Sequence, residues 1–388
     1  MVGMLMAASS RRESAASAVQ QTQFGLINLL KAVAAQLIVL HHLAFYGPMA
    51  DHARPLMPEL FDWLAGDARI AVQIFLVIGG FLAAKSLSPD GCAALRNPLG
   101  IMWRRYTKLA PPFVIATLLA AGASIIASAW MTHDSISSAP SVSQLAAHVL
   151  LLHSVLGYES LSAGAWYVAI DFQLYAGAAL LLWLCGRLSG GMSRPWLAPV
   201  VVAVAVISSL FYFNRDADWD VWAPYFFGSY GLGMLAWWAG DPTRRPRAVV
   251  LLFLMMAVPA LLALTLDFRT RIAVALSVAC LLMLVGRVQV RSGAGWAVAN
   301  WLGKNSYSIF LVHFPVCLAV NAAFMQFVPA AAALQLIGTG LAWAASVAGG
   351  AAFFRWIEVP LGRMAGMCTG TRSEQAFSEF RQKGVTTR

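Results

Sequence analysis

Ten stretches of this chain are apolar over about the 20 residues that an α-helix needs to cross a bilayer. They lie at roughly 24–46, 70–88, 111–130, 165–185, 196–213, 222–239, 248–265, 271–288, 306–326 and 331–354. In hydrocarbon every backbone N–H and C=O must be satisfied inside the protein, and a helix does this segment by segment. The expected fold is therefore all-α, a polytopic transmembrane helix bundle of about ten spans. Charge density points the same way. Only 11% of the 388 residues are charged and 60% are hydrophobic, whereas a soluble domain carries about 25% charged residues. An ordinary soluble enzyme, a disordered chain and a disulfide-stapled secreted scaffold are all excluded. The second stretch has the shortest apolar run. Residues 143–157 are too few to cross and are expected to lie at the interface.

Lys and Arg in the connections set the orientation. Threading ten spans from an inside N-terminus leaves all but six of the 27 Lys and Arg in the cytoplasm. The six are Lys31, within the first span, and Arg54, Arg69, Arg215, Arg269 and Arg271. Both termini are then cytoplasmic, and the bilayer is the first partner. A net charge of +10 would suggest nucleic acid in a soluble chain. Here it follows from the positive-inside bias, and no nucleic acid is expected. Residues 1–23, rich in Ser, Ala and Gln, read as a flexible cytoplasmic tail without the order of a cleavable signal. Residues 24–363 read as one transmembrane domain, and 364–388 as a second flexible cytoplasmic tail.

Ionisable groups within membrane spans are expensive and mark function. Here they are Lys31, His41, His42, Asp171 and His313. His42 lies about 18 residues along the first span, ~27 Å at 1.5 Å per residue, near its outer end. Asp171 lies about one and a half turns below the outer end of the fourth. The two can share a depth, and a carboxylate beside an imidazole fixes its tautomer and supports it as a general base. The plainer alternative is an interfacial histidine and a structurally paired aspartate. His41 and His42 point about 100° apart, so one of them faces a shared cavity. Adjacent histidines lack the spacing of helical metal ligands, and no metal site is expected. The five cysteines are scattered and read as small apolar fillers.

Residues 96–112, RNPLGIMWRRYTKLAPP, read as a basic inside loop, with Pro111 and Pro112 opening the third span. Arg104, Arg105 and Lys108 are either a positive-inside anchor or a site for an anionic phosphate donor. His313, in SYSIFLVHFPV, is either a packing histidine beside the bend at Pro315 or a catalytic one. Glu358, in RWIEVPLGR, is expected to pair with a cytoplasmic Arg. Asp216, Asp218 and Asp220 lack the glycine of a calcium loop.

Taken in order, these segments resemble the integral-membrane acyltransferase family 3, the bacterial O-antigen and exopolysaccharide O-acetyltransferases, over about residues 24–363. Lys31 and His42, in LKAVAAQLIVLHH, match a basic residue eleven positions before a histidine. Ile74 to Leu82, IFLVIGGFL, is similar to FFVISGFL. Arg104 to Phe113, RRYTKLAPPF, is similar to RRxxRLxPxY. Trp166 to Tyr175, WYVAIDFQLY, is similar to WSLSVEEQFY, Ser306 to Pro315 to SYSLYLLHFP, and Glu358 with Pro360 to ExP. Lys31 stands where the family has Arg, Lys108 where it has a second Arg, and Asp171 where it has Glu. Charge is kept, but Lys108 lacks the bidentate fork of Arg.

The resemblance implies a membrane O-acyltransferase of the bacterial inner membrane. It would move an acyl group, most simply acetyl, from cytoplasmic acyl-coenzyme A, a co-substrate and not a bound cofactor. The acceptor would be a hydroxyl of a cell-surface or exported polysaccharide or its lipid-linked precursor. His42 and Asp171 would be catalytic, and Lys31, Arg104, Arg105 and Lys108 would hold the donor. His41, Trp166, Tyr175, Ser306, Tyr307 and His313 would line the pocket, and Glu358 and Pro360 would be structural. Two other classes compete: a transporter or flippase for an acylated or sugar substrate, for which the sequence lacks an inverted repeat, and a non-catalytic membrane scaffold.

Overall fold

The structure, a computed structural model, describes residues 25–93, 95–190, 194–285 and 295–368. Its helices, in chain order, are α1 (Gly25–Phe45), α2 (Pro48–Ala53), α3 (Pro58–Gly66), α4 (Val72–Leu87) and α5 (Pro98–Ser128). There follow α6 (Val142–Val149), α7 (Ala165–Leu188), α8 (Leu197–Phe211), α9 (Ala223–Gly240) and α10 (Pro246–Leu266). The last are α11 (Thr270–Val285), α12 (Gly295–Phe327), α13 (Ala332–Phe353) and α14 (Val359–Cys368). No strand occurs among the described residues. Helices stand at all ten expected places. Eight helical segments are long and apolar enough to cross a membrane. The two outside that set are α9, 18 residues long, and α11, which is apolar but has only 16 residues.

The innermost helix, α9, packs against α4, α7, α8, α10 and α11. Small residues let it do so, because helices in an apolar solvent associate through close packing. A side chain at Gly80 of α4 would put its first carbon 1.8 Å from the Tyr230 carbonyl oxygen, and one at Gly233 would meet the Val77 carbonyl at 1.9 Å. Backbone therefore lies on backbone where the two helices cross. Trp238 and Tyr230 fill the space around this seam and are fully buried.

Several expectations need correction. The segment read as a basic loop is helical from Pro98, capped by Asn97, whose side chain accepts from Gly100 N at 2.8 Å. α5 runs straight through Pro111 and Pro112 for 31 residues. Both prolines lack the N–H that would close the helix turn below them. Next to that gap the Tyr307 hydroxyl donates to the Leu109 carbonyl at 2.9 Å and ties α12 to α5. Residues 143–157, expected to be too few to cross, need no such correction: they hold most of the short α6 and the turns after it, with no single helix across them. The stretch from 364, read as tail, is helical to Cys368. Residues 1–23 and 369–388 lie outside the described residues.

Candidate active site

Two cavities lie along one line through the bundle. Four helices carry residues of both on a single face. On α1, Lys31 lines one cavity, and Ile38 and His42 line the other, at helical spacings of seven and eleven. On α4, Val72 lines the second cavity, and Phe75, Gly79 and Leu82 the first. On α7 the change falls between Trp166 and Tyr167, and on α12 it falls at Phe310. α1 and α12 thus run from the first cavity to the second, and α4 and α7 run back.

The first, basic cavity is about 230 Å³. Lys31, Arg105 and Lys108 bring three cations to it, and Asp171 and Glu358 two carboxylates. Arg105 donates to Asp171 Oδ2 at 2.5 Å and stacks over the Tyr175 ring. Gly79 makes room for this pair, because a side chain there would lie 3.2 Å from Asp171 Oδ1. Glu358 accepts from Ser308 Oγ at 2.6 Å, so its expected pairing with a cytoplasmic Arg is corrected to a bond within the bundle. Ser306 and Tyr307 line the same cavity, while Arg104 lies exposed on the outer side of α5 and Pro360 is exposed on α14.

The second, polar cavity is about 770 Å³. Arg69, Asp134, Glu159 and the serines of the 135–138 and 160–162 turns surround it, with Tyr46, Trp166 and Phe314 as apolar walls. Both His41 and His42 line it, although one was expected. Their roles differ. His41 Nδ1 donates to the Leu64 carbonyl at 2.9 Å. His42 is held by a second imidazole: its Nδ1 lies 2.6 Å from His313 Nε2, with the rings nearly parallel.

That pair fixes a tautomer. His313 Nδ1 lies 2.7 Å from the Phe310 carbonyl, and a carbonyl can only accept. In the neutral pair the proton of His313 is therefore on Nδ1, and its Nε2 is a lone pair. His42 must donate to it from Nδ1. His42 Nε2 is left as an unprotonated lone pair with no hydrogen-bond partner among the described residues, on a ring that lines the polar cavity. This is the state a general base needs.

The expected contact between His42 and Asp171 is not found. Residue counting gave a similar depth, but α7 passes from the polar to the basic cavity between Trp166 and Tyr167. Asp171, a turn further on, faces Arg105. Tyr175 meets Ser86 and Arg105 and lines neither cavity. Sequence reasoning passed over Phe310, Phe75 and Tyr167. For Phe310 the available signal was its spacing from Ser306 and His313, at four and three residues.

A family described as an acyltransferase domain matches residues 25–353. Over 174 residues, 42% of this chain, the sequence is 26% identical to a Caenorhabditis elegans protein named regulator of hypoxia-inducible factor 1. The aligned part is 35% of that protein, so the chain spans about a third of the relative's length. No solved structure matches.

Proposed function

The chain belongs to acyltransferase family 3, and from that membership we propose that it transfers an acyl group, acetyl in the simplest case, from acyl-coenzyme A to a glycan hydroxyl. In this reading it works in a bacterial inner membrane with ten spans and both termini in the cytoplasm. The observation that carries the proposal is the fixed lone pair on His42, beside a polar cavity and in line with a cationic one.

The donor's nucleotide and phosphates are far too bulky for about 230 Å³. They stay at the mouth, where Lys108 is exposed and Arg104 is exposed one turn earlier on α5, and the thin pantetheine arm enters past Lys31 and Arg105. The polar cavity, with charged and hydroxylated walls, suits a polyhydroxylated acceptor. His42 Nε2 takes the acceptor's hydroxyl proton as the oxygen attacks the thioester carbonyl. A C–O bond forms, the C–S bond breaks, and the proton passes from the imidazolium to the departing thiolate. His313 is a positioning residue in this scheme. Asp171 also acts indirectly, by holding Arg105 toward the donor path, and takes no proton.

Membranes carrying the protein, incubated with radiolabelled acetyl-coenzyme A and glycan, test the proposal. Label should enter the glycan with the natural chain and not with folded His42→Ala. Undiminished labelling by His42→Ala overturns the role of His42. Label that crosses into vesicles without joining glycan marks a transporter instead.

A further inference from the structure

Among the described residues Phe310 alone lines both cavities. It is 5% exposed, and its ring sits among Tyr167 at 5.5 Å, His313 at 5.8 Å and Phe75 at 6.2 Å between centroids. On a further side stands Gly164, where a methyl group would lie 2.7 Å from Phe310 Cε1. The backbone at Phe310 is held in place because its carbonyl accepts from His313 Nδ1. What can yield at this point is the ring.

We propose that the Phe310 ring, braced by Phe75 and Tyr167, is the partition between the donor and acceptor cavities and sets the length of acyl chain that reaches His42. This rests on the acyl-transfer reading above. Seven residues of α12, about 10 Å of helix, separate Ser306 in the basic cavity from His313 behind the base, and Phe310 stands between them. A thioester arriving from the basic cavity must bring its carbonyl across this ring. The methyl of an acetyl group needs little of the ring's space. Each added methylene competes with the ring for the same volume, beside the apolar walls of Phe75 and Ile78. Phe310 would thus combine two tasks, with its carbonyl fixing the base through His313 and its ring measuring the acyl group.

The test compares acetyl-, butyryl- and hexanoyl-coenzyme A as donors for the natural chain and for Phe310→Ala, Phe75→Ala and Gly164→Ala in membranes. Phe310→Ala removes only the ring. It should raise the ratio of hexanoyl to acetyl transfer by about tenfold or more, the range a few methylenes command in a fitted pocket. Phe75→Ala should shift the ratio the same way. Gly164→Ala, which presses on the ring, should lower the ratio of butyryl to acetyl transfer. Acetyl transfer that persists with unchanged chain-length ratios in both Phe310→Ala and Phe75→Ala overturns the partition and leaves the acyl-transfer reading standing. Should Phe310→Ala not accumulate as a folded protein, Phe75→Ala decides. A natural chain that transfers no acyl group from any donor removes the acyl-transfer reading, and the partition with it.

Discussion

A histidine buried in an apolar bundle can act as a base only when its surroundings decide which nitrogen bears the proton. At His42 the decision passes from the Phe310 carbonyl through His313. His313→Ala removes the acceptor from His42 Nδ1 and lets the ring turn. It should lower kcat by about two to four orders of magnitude, the span of a general base's contribution. Donor KM should hardly move, because His313 lines neither cavity. His313→Gln offers an amide oxygen at the same place and should recover part of the rate. Steady-state kinetics check this, and a raised KM with unchanged kcat would assign His313 to donor binding. The sequence made His42, His313 and the basic residues visible because ionisable groups are rare in such a chain. It could not make their pairing visible. Residue counting along a span gives depth, and whether His42 meets Asp171 or His313 depends on how two helices are turned toward each other.

Between α4 and α9 the decisive contacts are made by missing side chains. Gly80→Ala would drive a methyl group into the Tyr230 carbonyl, which belongs to helix backbone and cannot rotate away. The variant should lose about 1–3 kcal/mol, the usual cost of overpacking. Gly177→Ala on α7, with open space around it, should be neutral or slightly stabilising. Melting temperatures in detergent separate the two. Helices at ten apolar stretches, eight of them long and apolar enough to cross a membrane, were readable from the sequence. The path of α5 was not, because Pro111 and Pro112 signal a helix start as readily as an interruption within one, and packing against Tyr307 decides.

A pH effect belongs to α6 and the turn after it. His153 is fully buried, stacks on His148 at 4.0 Å, and has no hydrogen-bond partner for either nitrogen. Burial first, and then the neighbouring His148, lower its pKa from 6.5 to about 3. Between those values the unfolded chain binds a proton that the folded chain refuses, so stability is complete above 6.5 and falls as pH drops toward 3. The loss at pH 5 relative to pH 7 should be about 2 kcal/mol. His153→Phe keeps the stack on Phe113 and should flatten the melting temperature between pH 7 and pH 5. A slope identical to that of the natural chain would move the effect elsewhere.

Across the whole molecule, helix direction and charge give one consistent orientation. α1 and α12 leave the basic cavity for the polar one, and α4 and α7 return. The turns at 134–138 and 159–162 then share a side, opposite the start of α5 and Lys304. The sign of that axis comes from the positive-inside rule, by which the proposed orientation puts the basic side in the cytoplasm. The sequence could not supply the axis itself, which needs the faces of four helices brought onto one line. Single cysteines in a background without native cysteines test the orientation. Ser138→Cys, exposed beside the polar cavity, should react with a membrane-impermeant maleimide added to intact spheroplasts, and Lys304→Cys only after permeabilisation. The reverse pattern would place His42 on the side where coenzyme A resides. The bundle would then have no reason to carry an acyl group through its interior, and the acceptor would have to be a cytoplasmic molecule.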